Sequence, residues 1–285
     1  MFFCGNNCEH ICKDVSKLLK VSYKKINVEK FPDGEINVYF KGNLNNEDIF
    51  FFKNLFKPIN ENIMEAFMAI RNFKKHNSGK VFLISPYLGY SRNDRENEYN
   101  IFNCVSSKLL ADLLETSGLD GLFTVDLHTK QISSFYKIPV TNIDTFPITK
   151  KLIKKKQILF PDFGSLKRFG NLVEYRDYNY SVIHKYRKKN KIKSFGKKKK
   201  KEIIFIDDII DTGKTLIKSL KKVGKKKTVY STHAVFSTPV KKILRKAKIK
   251  FLYTTNTIKT KNSKHVRVKN ISKLIFNKIK EYVQP

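Results

Sequence analysis

The stretch IIFIDDIIDTGKTL, residues 203 to 216, sets two adjacent carboxylates, Asp207 and Asp208, directly behind a run of buried-type residues. Neighbouring aspartates repel unless a cation or sugar hydroxyls engage them. Asp211, Thr212, Gly213 and Thr215 follow, short polar residues around a glycine that read as a turn into a helix beginning near Thr215. Backbone N–H groups at such a start, with the positive end of the helix dipole, suit a phosphate. Gly213-Lys214-Thr215 looks like the end of a nucleotide-binding P-loop, but that motif needs glycine at 208, where Asp208 stands. Helix capping is the plain alternative for the pair, although one aspartate would suffice.

These acids need an element to hold them. Ile203 to Ile206 is β-branched and aromatic, the composition of a strand covered on both faces. The acids then sit at a strand's carboxyl end, the edge where open α/β sheets bind ligands. Further strands are expected at 1–4, 49–53, 80–85, 121–128, 158–164, 181–187, 228–237 and 251–258. Helices are expected up to about Leu19 and over 63–75, 98–117 and 271–282, the last packing back on the body. Such alternation predicts mostly parallel sheets with helices on both faces. A chain of 285 residues accommodates two such domains, placed at 1–143 and 144–285. The lysine-rich tract 194–202 reads as a mobile loop or a solvated linker.

The net charge is +33, from 58 basic and 25 acidic residues, yet only 8 of the basic residues are arginine and they are scattered. Abundant Lys, Asn, Ile and Phe together fit a coding bias better than a nucleic-acid groove, and steep salt dependence would separate the two. Cys4, Cys8 and Cys12 recur every four residues, with Glu9 and His10 nearby, but no C-x-x-C pair exists and core burial is the favoured reading. With Cys104 they make no disulfide framework, and the first residues lack a secretory pattern, so a cytoplasmic location is expected. No stretch approaches membrane-spanning length.

The opening stretch resembles the phosphoribosyl-diphosphate-binding signature shared by type I phosphoribosyltransferases and ribose-phosphate diphosphokinases. Four other stretches distinguish the two: KFPDGEINVYF at 30–40, ISPYLGYSRNDRE at 84–96, FTVDLHTKQISSFYKIPVTNI at 123–143 and SVIHKYRKK at 181–189. In this order the whole chain is similar to the ribose-phosphate diphosphokinase family. That resemblance implies two tandem type I phosphoribosyltransferase-like domains, the first on the ATP side and the second on the ribose 5-phosphate side. It implies transfer of the diphosphoryl group of ATP to the anomeric hydroxyl of ribose 5-phosphate, with Mg2+, giving 5-phosphoribosyl 1-diphosphate and AMP. It further implies that Asp207 and Asp208 bind ribose hydroxyls, and that Asp211, Thr212, Gly213 and Thr215 cradle the 5-phosphate.

By the same resemblance Lys185 and Arg187 are the catalytic pair, two residues apart on one face of a strand. Asp126, His128 and Asp162 are on the metal and triphosphate side. Arg92 contacts ATP phosphates, and Phe31, Asp33 and Glu35 contact adenine; the less favoured alternative is Phe31 as core and Asp33-Gly34 as a plain hairpin turn. A homo-oligomer of dimers assembled into a hexamer is implied, with no membrane or nucleic-acid partner. The sequence departs from the family at Lys214, where relatives carry a small residue, and at ENEYN (96–100), where they are basic. The tract before residue 203 is compressed, and Lys130 and Ser133 match effector positions too loosely to assign regulation. Rival readings are a catalytically silent regulatory relative, a purine phosphoribosyltransferase and a nucleic-acid-binding protein.

Overall fold

The computed structural model describes residues 1–96, 103–154, 156–174, 180–186, 189–195, 202–221, 223 and 226–283, with 184–186 and 189–195 described as backbone. Arg187, most of the tract 194–202 and most of the ENEYN segment lie outside the described residues. The chain divides into two compact units, one of Met1–Ile143 with Ile271–Pro285, the other of Asp144–Asn270.

In chain order the first unit comprises β1 (Phe2–Cys4), α1 (Glu9–Leu19), β2 (Tyr23–Lys25), β3 (Asn27–Lys30), β4 (Ile36–Tyr39), β5 (Ile49–Phe52) and α2 (Ile59–Lys75). It continues with β6 (Val81–Ile84), α3 (Ser106–Thr116), β7 (Gly121–Val125), a 3-10 turn at Lys130–Phe135 and β8 (Val140–Ile143). Six strands form a parallel sheet in the order β2-β1-β5-β6-β7-β8, and β3 pairs with β4 as a separate antiparallel hairpin. The continuous apolar runs FFC, IFFF, VFLI and GLFTV are what a sheet covered on both faces requires. Phe3, Ile49, Phe51, Val81, Leu83 and Leu122 face the core shared with the buried stripes of α2 and α3. Phe50, Phe82 and Phe123 line the opposite face.

The second unit comprises α4 (Phe146–Leu152), β9 (Gln157–Phe160), α5 (Phe163–Arg168), α6 (Asn171–Glu174), β10 (Tyr180–Tyr186), β11 (Lys189–Phe195) and β12 (Glu202–Ile210). It ends with α7 (Lys214–Leu220), β13 (Lys226–Ala234), α8 (Val240–Ala247), β14 (Phe251–Thr255) and β15 (Val266–Lys269). Its sheet runs β11-β10-β9-β12-β13-β14-β15, parallel except for the β10–β11 hairpin. Alternate residues of β12 divide between two cores: Ile203 and Phe205 pack with α7 and α8, while Ile204 and Ile206 pack with Ile153, Phe169 and Leu172.

The last helix, α9 (Ser272–Val283), belongs to the first unit rather than to the second, as its sequence position had suggested. Ser272 donates to Asp14 Oδ2 at 3.0 Å, and the Tyr282 ring meets Phe82 edge-on at 4.5 Å and Phe50 at 6.1 Å. It thereby covers the phenylalanine face of the first sheet, which would otherwise meet water.

Candidate active site

In the second sheet the strand order reverses between β9 and β12, since the chain moves outward from β9 through β10 and β11 and returns to β12 on the other side. Such a switch point leaves a crevice at the carboxyl ends of the two strands. Pairing of β12 with β9 stops at Phe205↔Leu159, although β12 stays paired with β13 through Ile210↔Ala234. Asp207 and Asp208 therefore lie inside a strand longer than expected, just past the point where its β9 partner ends. Asp162, two residues beyond β9, caps α5 by accepting the Ser165 N–H at 2.8 Å. The Ser165 hydroxyl donates to the Ile206 carbonyl at 2.9 Å and ties α5 to β12 beside the acids.

Arg168, at the far end of α5, completes the cluster: its Nη2 lies 2.9 Å from Asp208 Oδ1 and 3.4 Å from Asp207 Oδ1. Burial pushes the Asp207 carboxyl well above the usual carboxylate range; repulsion from Asp208 adds to this, Arg168 opposes it and Asp162 reinforces it. Asp208 is 3% exposed at its side chain. Arg168 was not singled out from the sequence. Its signal is the run from a capping aspartate to a basic residue one and a half turns on, which gains meaning only with β12 alongside.

The helix after the acids starts at Lys214 and its N-cap is Gly213, so neither Asp207 nor Asp208 caps it. Gly213 has φ of 72°, and a Cβ there would come within 2.8 Å of Ile243 on α8. Only glycine fits the turn. Asp211 Oδ1 accepts the Ser237 N–H at 3.2 Å, and Ile210 O accepts the N–H groups of Val235 and Phe236, which fastens the loop after β13 to the loop after β12. Thr212, Lys214 and Thr215 are exposed. Lys185 lies on β10, in register with Asn190.

In the first unit, Asp126 and His128 follow β7, and Asp126 holds a left-handed φ of 41°. Its N–H donates to Ile143 O at 3.1 Å, and the Leu127 N–H to Asn142 Oδ1 at 3.0 Å. Thr129 donates to Asp94 Oδ2 at 2.7 Å, joining this loop to the one that carries Arg92. The β3–β4 hairpin turns over 31–35, with Phe31 N–H to Glu35 O at 2.8 Å, Glu35 N–H to Asp33 Oδ1 at 3.0 Å and Gly34 at φ of 98°. Phe31 is 42% exposed, so it is not core. Lys30 approaches Glu61 at 3.7 Å, and Tyr90 donates to Asn60 at 2.6 Å. The hairpin and the Arg92 loop thus both abut the start of α2.

Cys4, Cys8 and Cys12 are buried free thiols, and among the described residues no three His, Cys, Asp or Glu side chains are grouped to hold a metal. Mg2+ needs no such cage, because it keeps water and takes one or two carboxylates with substrate phosphates. The carboxylates of Asp126 and Asp162 are hard oxygen donors of the kind it prefers. The imidazole of His128 suits it less well than Asp126 does.

Residues 1–118 match the N-terminal domain of ribose phosphate pyrophosphokinase. Ribose-phosphate pyrophosphokinase of Thermotoga maritima is 31% identical over 96% of this chain and 91% of its own length. That of Clostridium perfringens is 33% identical over 90% and 85%. The chain belongs to the ribose-phosphate pyrophosphokinase family. The crystal structure of phosphoribosylpyrophosphate synthetase from Mycobacterium smegmatis superposes with a TM-score of 0.90 at 28% identity, covering 100% of this chain and 98% of that one. The similarity runs through nearly the whole length of both chains, which disfavours a single-domain purine phosphoribosyltransferase and a nucleic-acid-binding protein. No described helix is long and apolar enough to cross a membrane.

Proposed function

We propose that this chain is a cytoplasmic, Mg2+-dependent ribose-phosphate diphosphokinase that transfers the diphosphoryl group of ATP to the anomeric hydroxyl of ribose 5-phosphate. The observation that carries it is the acid pair at the switch point of the second sheet, followed by a loop that glycine alone can form. Asp207 and Asp208 accept hydrogen bonds from ribose hydroxyls, and the raised Asp207 carboxyl is relieved when those donors arrive. Thr212, Gly213 and Thr215 hold the 5-phosphate, with Asp211 bracing the neighbouring loop through Ser237. The first unit binds ATP: Phe31, Asp33 and Glu35 on the hairpin meet adenine, and Arg92 meets the phosphates.

Asp126 in the first unit and Asp162 in the second are each a carboxylate that would hold Mg2+, which when bound would neutralise triphosphate charge and polarise the phosphoryl oxygens. His128 contributes a hydrogen bond to a phosphate oxygen. Lys185 and Arg187 steady the transferring phosphoryl group, supplying fixed positive charge where negative charge builds up in the transition state. A homo-oligomer of dimers assembled into a hexamer is part of this reading, on the family resemblance.

The test is incubation with ATP, Mg2+ and ribose 5-phosphate, with products resolved by phosphorus NMR. AMP with a 1-diphosphorylated sugar is expected. ADP would show a simple kinase instead, and no turnover would favour the silent regulatory relative.

A further inference from the structure

A cavity of about 860 Å3 opens in the first unit between β4, the second half of α2 and the end of α3. None of the residues assigned above to ATP, sugar or metal lines it. Its apolar wall is built from Val38, Tyr39, Phe40, Phe67, Met68 and Leu113. Arg71, Lys75 and His76 border it along one side of α2 and its end, and no Asp or Glu is among its described lining residues. We propose that this cavity is a binding site for an organic anion with an aromatic body.

Three observations carry the proposal. The volume lies within the range of roughly 300–1,000 Å3 found for small-molecule sites. The wall is held in place beforehand: the Phe40 ring packs against Phe3 at 5.3 Å and Phe73 at 5.2 Å, with His76 edge-on at 5.7 Å. Asn72 Nδ2 donates to Val38 O at 3.2 Å and fastens the hairpin to α2, so a ligand ring meets a preformed face. Third, Arg71 and Lys75 are exposed one helical turn apart, where both can reach one acidic group at the rim. A compact anion is attracted to that rim, and its apolar body covers Tyr39, Met68 and Leu113, which are open to solvent.

The test is calorimetric titration of the full chain with 1-anilinonaphthalene-8-sulfonate, an aromatic anion, and with N-phenyl-1-naphthylamine, which lacks the sulfonate. One saturable site per chain is expected for the sulfonate. Arg71→Ala combined with Lys75→Ala should weaken it about tenfold or more, and the neutral amine should bind about tenfold more weakly than the sulfonate. Leu113→Glu, at an exposed position that tolerates change, should weaken it comparably by setting a carboxylate at the rim, and it serves if the double variant fails to fold. Wild-type affinity in a folded double variant or in Leu113→Glu overturns the proposal. Equal binding of the amine overturns it too, as does binding that emerges only when assembled protein is diluted, because a second copy would then be the occupant.

Discussion

Each unit has a switch point, and the two crevices are filled in opposite ways. In the first sheet the order reverses between β1 and β5, whose last paired residues are Cys4 and Phe52. Lys53 follows at once, 1% exposed at its side chain and ion-paired with Glu65 of α2. Burial pushes its ammonium below the usual lysine range, and Glu65 opposes the shift. Asn7 and Asn54 exchange hydrogen bonds at 2.6 and 3.1 Å, and Asn54 Oδ1 accepts the Tyr87 N–H at 2.8 Å. That crevice is satisfied by the chain itself, whereas the second presents crowded carboxylates that a ligand would relieve. Two sheets of similar construction thus acquire different chemistry from a few residues at equivalent strand ends.

Breaking the second crevice should have the largest effect. Asp207→Asn with Asp208→Asn should lower ribose 5-phosphate affinity and cut turnover by about a thousandfold or more, with Mg2+-ATP binding retained, as read by calorimetry and assay. Unchanged sugar affinity would show the acids to be structural. The same substitution at Asp207 alone carries a sign that sharpens the comparison. A carboxyl raised above its unfolded value stabilises the fold below the ordinary carboxylate range and loses that contribution as pH rises through the raised value. Asp207→Asn, which imitates the protonated form, should therefore raise the melting temperature of ligand-free protein at neutral pH, with the gain vanishing near pH ~4.

Breaking the first crevice should cost stability and leave sugar binding alone. Lys53→Met strands the Glu65 carboxylate and should cost about 3–5 kcal/mol in denaturant unfolding, most of it recovered when Glu65→Leu is added. A single variant as stable as the parent would mean the pair is not buried as described. Gly213→Ala comes next, at about 2 kcal/mol, because the added methyl meets Ile243 and φ is positive. Its KM for ribose 5-phosphate should rise while that for ATP holds. Lys214→Ser should change least, raising the ribose 5-phosphate KM about two- to threefold at low salt and less at high salt. A salt-independent KM would place that lysine away from the phosphate.

Much of the architecture was legible because period and composition are local. The runs IFFF, VFLI and IIFI announce covered strands, and the acid pair's place past such a run announces a ligand edge. Short polar strands escaped: Tyr23–Lys25 is an exposed edge, and Lys189–Phe195 is held by pairing with β10 rather than by any pattern of its own. The hairpin around Asp33-Gly34 was readable as a turn, but whether Phe31 was buried depended on what stood beside it.

The sequence alone determined the strand–helix alternation, the acid pair directly after the apolar run 203–206, the glycine at 213 and the family motifs, since each depends on neighbours within a few residues. Tertiary structure decided that Arg168 reaches Asp208 across 40 positions of chain, that Lys53 finds Glu65, and that α9 covers the first sheet. Those outcomes rest on Coulomb attraction and apolar burial between distant segments, which take effect only when folding brings the segments together.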